Sequence, residues 1–234
     1  MRYVEIGELK EGLRRVAEFL IPDGRLAYHW DYSDEAGWWG YLNSCGELIV
    51  PPQYIYAGDM YCGMAFVCRG EWTIDKKWDN GVHIGDYWSD VMLWGAVDEN
   101  GREIIPCKFD ELLDLDNDRE FIGAHYGGWE NGAWGIIDRK GNWLVEPVFE
   151  DLGYDSMDSL IIFYDKDKWD DGLMGVYDIK KQKVVFEPIY DDIFFDEDTN
   201  TIELLLENAE KRESVTCWVK KNGMEIAKRV IKWR

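Results

Sequence analysis

The chain has 234 residues, 46% hydrophobic and 15% aromatic, so it can bury a sizeable core, and it carries a net charge of −21. That charge argues against nucleic acid as a partner, because phosphate would be repelled. No apolar run approaches the length of a membrane-spanning helix, and the polar N-terminus lacks an apolar signal segment, so a cytoplasmic protein is expected.

In chain order, residues 4–21 come first. Leu9, Leu13, Val16, Ala17 and Leu20 recur at helical spacing, and Pro22 would stop the run. This predicts an N-terminal helical cap over 1–24, ahead of a β array over 25–234. The array is marked by a repeated dipeptide. Trp39-Gly40, Trp94-Gly95 and Trp134-Gly135 each open the same short pattern, and a fourth copy has Met174 in the tryptophan slot. The steps between slots are 55, 40 and 40 residues. A fixed internal period of this length is the signature of a repeat architecture.

Inside each copy the pattern reads as two strands and a turn. Asn43, Asp98 and Asp138 are each followed three residues later by Gly46, Gly101 and Gly141, which suits a hairpin loop closed by a left-handed glycine. Copy four has Lys181 in the glycine slot, so a different turn is expected there. The second strand runs into proline and an aromatic: Pro52 and Tyr54, Pro106 and Phe109, Pro147 and Phe149, Pro188 and Tyr190. Proline removes a ladder donor, so this strand should bend. A third strand precedes each tryptophan slot, at 26–30, 64–70, 120–127 and 159–165. A fifth, degenerate unit follows, with strands over 201–208, 214–221 and 224–233 and Gly223 in the turn. The expected fold is all-β: five tandem three-stranded antiparallel units, about 26–60, 61–116, 117–156, 157–198 and 199–234, in a curved, propeller-like or solenoid array.

At this level the chain resembles the WG-repeat family of bacterial proteins. Asn131-Gly132-Ala133-Trp134-Gly135-Ile136-Ile137-Asp138, continuing through Gly141, Val145, Pro147, Phe149, Glu150 and Asp151, carries the resemblance nearly throughout. The resemblance implies a binding scaffold and brings no common active site.

Chemistry is sparse. His29, His83 and His125 are far apart, and none has a Cys or His at ligand spacing. Asp114, Asp116 and Asp118 imitate the start of a calcium loop, but Arg119 stands where glycine is needed and His125 where the bidentate Glu belongs. No metal and no cofactor is expected. No nucleophile or phosphate-loop motif is present, and among 47 acids carboxylate pairs arise by chance, so the reading is not an enzyme. Five cysteines without a paired spacing suit small buried hydrophobes in a reducing compartment.

Two features point to binding. The charge is uneven: residues 110–210 balance to −19, whereas 211–234 balance to +6. A loop motif of Trp, acid, Asn or Asp, and Gly recurs at Trp78-Asp79, Trp129-Glu130 and Trp169-Asp170-Asp171. An insertion over 71–90 adds Trp72, Asp75, Tyr87 and Trp88. Trp faces beside carboxylates suit Arg or Lys, although such tryptophans can equally pack against one another. The function expected is a scaffold for protein–protein interaction with a basic partner, in its concrete form a cytoplasmic immunity-type inhibitor of a basic toxin or nuclease. The alternative is a carbohydrate or small-ligand module stacking sugars on the same tryptophans.

Overall fold

Strands account for all the regular structure in the computed structural model, which describes residues 5–19, 37–71, 73–79, 82–88, 91–164, 172–208 and 210–232. The chain divides into two compact units, Met1–Leu112 and Leu113–Arg234. Among the described residues no helix is long and apolar enough to cross a membrane.

Unit one holds two four-stranded antiparallel sheets. The first is β1 (Glu5–Ile6), β2 (Leu13–Phe19), β3 (Gly37–Asn43) and β4 (Leu48–Tyr54), in that order. The second orders β5 (Tyr56–Ala57), β6 (Met64–Gly70), β9 (Met92–Asp98) and β10 (Glu103–Phe109). Between β6 and β9 the insertion forms its own hairpin, β7 (Thr73–Asp79) with β8 (Val82–Trp88). Leu13, Ala17, Trp39, Tyr41, Val50 and Tyr54 of the first sheet pack with Ala57, Ala65, Val67 and Val97 of the second.

Unit two holds three more sheets of the same design. They are β11 (Glu111–Asp114, opening at the division) to β14, β15 to β18, and β19 to β22, each in sequential order. The third sheet continues with β12 (Ile122–Tyr126), β13 (Ala133–Ile137) and β14 (Trp143–Phe149). The fourth is β15 (Asp151–Met157), β16 (Leu160–Tyr164), β17 (Met174–Asp178) and β18 (Lys183–Tyr190). The fifth is β19 (Asp192–Asp196), β20 (Thr201–Asn208), β21 (Glu213–Lys220) and β22 (Glu225–Lys232). One core joins sheets three and four through Trp134, Ile136, Phe149, Leu152, Ile161 and Phe163. A second joins sheets four and five through Leu160, Ile162, Val176, Ile193, Ile202, Leu204 and Val219.

Two expectations are corrected. The N-terminal helix is absent: within 4–21 the described residues form β1 and β2 instead. Leu13, Val16 and Ala17 have helical spacing, but Glu11 and Gly12 take left-handed conformations with φ of 43° and 91°, making a turn. β2 then pairs along its whole length with the Trp-Gly strand, from Leu13 opposite Asn43 to Phe19 opposite Gly37. Strand pairing thus overrides a weak local period. The partner of the first Trp-Gly strand is therefore 13–19, and the segment 26–30 lies outside the described residues. The second correction is the strand count. Each sheet has four strands; in the third, fourth and fifth the added strand is opened by the acids that follow the aromatic, at Glu111, Asp151 and Asp192. Only Ile55, Asp110, Glu150 and Asp191 separate one sheet from the next.

The bend at proline is present in four sheets. Trp39 pairs with Tyr54 and Tyr41 with Val50, so Pro51 and Pro52 sit in a bulge. Phe109 opposite Trp94, Trp134 opposite Phe149 and Met174 opposite Tyr190 repeat this arrangement, with Pro106, Pro147 and Pro188 in the bulges. The turns also follow their residues. Gly46, Gly101, Gly141 and Gly223 have φ between 74° and 84°, and in copy four Gln182 takes this role at 49°.

Candidate functional site

The residues singled out on the insertion fall on the β7–β8 hairpin, not in a loop. Asp75 lies opposite Asp86, Trp78 opposite His83, Asp79 opposite Val82, Tyr87 opposite Ile74 and Trp88 opposite Thr73. Trp72 lies outside the described residues, as do Trp169, Asp170 and Asp171.

Trp129 and Glu130 sit in the loop between β12 and β13, both exposed. Trp129 is 68% exposed, yet one ring face is stacked on His125 at 4.8 Å and 13°. His125 is buried and meets the edge of Trp134 at 5.5 Å. The loop is pinned by the Gly132 amide donating to the Gly128 carbonyl at 2.6 Å. The buried imidazole holds the indole flat, and the other indole face is free to stack on a ligand.

A cavity of about 740 Å³ lies at the opposite ends of these strands. It is lined by Asp114 at the end of β11, by the β11–β12 loop (Asp116, Asp118, Glu120, Phe121), by Tyr154, Ser156, Asp158 and Ser159 of the fourth sheet, and by Lys180 and Glu197. The carboxylates outnumber the single lysine. Tyr154 is 83% exposed. Several of the acids also hold the wall in shape. The Asp116 carboxylate accepts from the backbone amides of Asp118 (2.9 Å), Glu120 (3.0 Å) and Phe121 (2.9 Å). Arg119, buried and left-handed at φ 54°, forks onto Asp114 at 2.7 and 2.8 Å. The segment read as a broken calcium loop is thus an internally braced turn. Among the described residues no group of three or more His, Cys, Asp or Glu is arranged to hold a metal.

Asp158 takes a left-handed conformation in the tight β15–β16 turn and pairs with Lys221 of the fifth sheet. The hydrogen bond from Lys221, then its charge, hold the Asp158 carboxyl below the usual carboxylate range. Asp118 and Glu197 are exposed. The cavity presents carboxylates beside the exposed Tyr154 ring, a surface for guanidinium or ammonium groups, whereas Phe121 is buried and its ring is already covered by the Lys180 ammonium at 5.6 Å. Sequence reasoning missed Tyr154, Asp158, Lys180 and Glu197, which are distant in sequence and meet only through the stacking of sheets. The one available signal was the density of acids between 110 and 120.

A family model described as "WG containing repeat" matches residues 39–78, 94–119, 134–169 and 174–199. The matched segments open at the four tryptophan slots and together span more than half of the chain; of the fifth sheet only β19 falls inside them, and β20 to β22 lie beyond the last match. No curated protein matches the sequence. Among solved structures, one similar chain is a eukaryotic initiation factor, at 9% identity and a TM-score of 0.41, covering 94% of this chain and 76% of that one. Another is a quinonprotein alcohol dehydrogenase-like protein from Bacteroides thetaiotaomicron, at 10% identity and a TM-score of 0.34, covering 98% of this chain and 55% of that one. At these TM-scores neither likeness carries weight for fold or function.

Proposed function

Because the chain belongs to the WG containing repeat family, we propose that it is a non-catalytic repeat scaffold that binds a basic protein. The observation that carries this reading is the acid-lined cavity of the second unit, with exposed Tyr154 at its edge. A protruding Arg or Lys of the partner enters it, and its stem packs on the exposed Tyr154 ring. Trp129, fixed by His125 but open on its other face, is a second contact at the far ends of the same strands. In its concrete form the scaffold is a cytoplasmic immunity-type inhibitor that masks a basic toxin or nuclease.

Affinity capture at low and moderate salt, with the wild-type chain and with Asp118→Lys combined with Glu197→Lys, tests the reading. Both side chains are exposed, so the fold should persist. The expected result is a basic partner retained by the wild type and weakened at least tenfold by the pair, consistent with loss of steering and of charge-assisted contacts. If the captured protein is a toxin or nuclease, its activity should fall in the complex. Recovery of no basic protein, or binding indifferent to both charge reversals, would overturn the proposal. A glycan array with Trp129→Ala as control reads the alternative: sugar binding lost with that indole would favour a carbohydrate module.

A further inference from the structure

The fifth sheet differs from the fourth in how its two faces are used. The fourth buries Ile161 and Phe163 toward the third sheet and Leu160, Ile162 and Val176 toward the fifth. The fifth buries Ile193, Ile202, Leu204 and Val219 on one face only. The residues on its other face follow from register. One row is Phe194, Glu203, Trp218 and Ala227, and the next is Asp192, Leu205, Thr216 and Arg229. Asp196, Thr201, Lys220, Glu207, Ser214 and Ile231 flank them. None of these side chains is buried; Phe194 is 51% and Ile231 43% exposed. A whole sheet face with aromatic and aliphatic side chains therefore stands open.

Its charge is polarised across the strands. Asp192, Asp196, Glu203 and Glu207 lie on β19 and β20, whereas Lys220 and Arg229 lie on β21 and β22. In one orientation this face sets opposite charges together at Asp192 and Arg229. A two-fold axis parallel to the strands lays the β19 side of one copy over the β22 side of the other, bringing Asp192 over Arg229 and Phe194 over Ala227. An axis across the strands would set acid on acid.

We propose that this face is a homodimer interface, two fifth sheets packed face to face about an axis parallel to their strands. Four strands at about 4.8 Å spacing and about 25 Å length cover roughly 500 Å² per copy. The total of about 1,000 Å² sits at the lower limit for a specific interface, which suits a reversible rather than an obligate dimer. An isologous contact closes at two copies and leaves the acidic cavity, lined mainly by the third and fourth sheets, available to a partner.

Sedimentation velocity of the full chain between about 1 and 300 µM, a range that spans weak reversible association, tests this. The expected result is a shift from monomer to dimer with no larger species. Phe194→Asp and Arg229→Asp should each raise the dissociation constant at least tenfold, with unchanged circular dichroism. Asp192→Arg combined with Arg229→Asp should restore dimerisation. A monomer at every concentration, open-ended larger assemblies, or a dimer indifferent to these variants would each overturn the proposal. Because the variants lie outside the acidic cavity, loss of dimer with retained capture of the basic partner separates this inference from the proposed function.

Discussion

At the scale of single residues, the Trp-Gly pair has two separate structural tasks. Trp39 and Trp134 are buried in the cores between sheets, where they act as packing pegs. The glycine allows the proline-bulged strand to pass close by. A Cβ added at Gly135 would meet the Val145 carbonyl oxygen at 2.7 Å and the Pro147 nitrogen at 2.9 Å, and one at Gly95 the Ile105 carbonyl at 2.5 Å. These neighbours are backbone and cannot swing aside. Gly135→Ala should therefore cost about 2–3 kcal/mol, the scale of overpacking in a rigid site, as read from the urea midpoint. The fifth sheet supplies the control. It has Cys217 at the corresponding place and an unbulged pairing, Thr216 with Arg229 and Cys217 with Lys228. Where no bulge crosses, no glycine is required.

At the scale of elements, the turns after the Trp-Gly strands are held by buried or half-buried acids. Asp138 accepts from the backbone amides of Lys140 and Asn142 and from the Asn142 side chain. Asp178, which is buried, accepts from Ser159, from the Lys181 amide at 3.0 Å and from its ammonium at 2.7 Å. Burial pushes the Asp178 carboxyl up, but the hydrogen bonds from Lys181 and Ser159, with the Lys181 charge, outweigh it and hold the carboxyl below its usual value. A depressed folded-state pKa stabilises above the unfolded carboxyl pKa and stops doing so as pH falls through the folded value. Urea unfolding should therefore show stability falling as pH drops below about 4, the ordinary carboxyl range. Asp178→Asn should be less stable at neutral pH and lose less on acidification. The turns were legible because Asp-x-x-Gly states its own chemistry. The hairpin over 73–88 was not, because Asn80-Gly81 also fits a loop and only the pairing of β7 with β8 distinguishes the two.

At the scale of the whole molecule, a net charge of −21 is distributed unevenly, with −19 between residues 110 and 210. Such a field steers an oppositely charged partner over distances that salt shortens. The association rate of a basic partner should fall about tenfold or more between roughly 0.05 and 0.3 M salt, with the dissociation rate changing less. Stopped-flow mixing monitored by tryptophan fluorescence measures both. A rate independent of salt would assign the charge to solubility alone.

What the sequence determined by itself was the repeat: the slots at 39, 94, 134 and 174, the bulging proline, the capped turns and the all-β class. These are local, because a residue's own turn or bulge chemistry enforces them. The tertiary structure alone decided the rest. It made a strand of residues 13–19 by pairing them with the first Trp-Gly strand and laid 5–6 beside them, and it assigned Glu111, Asp151 and Asp192 to the sheets that follow. It also gathered Asp118, Tyr154 and Glu197 around one cavity. Pairing and stacking energies join residues tens of positions apart, and no local pattern records which sheets will meet.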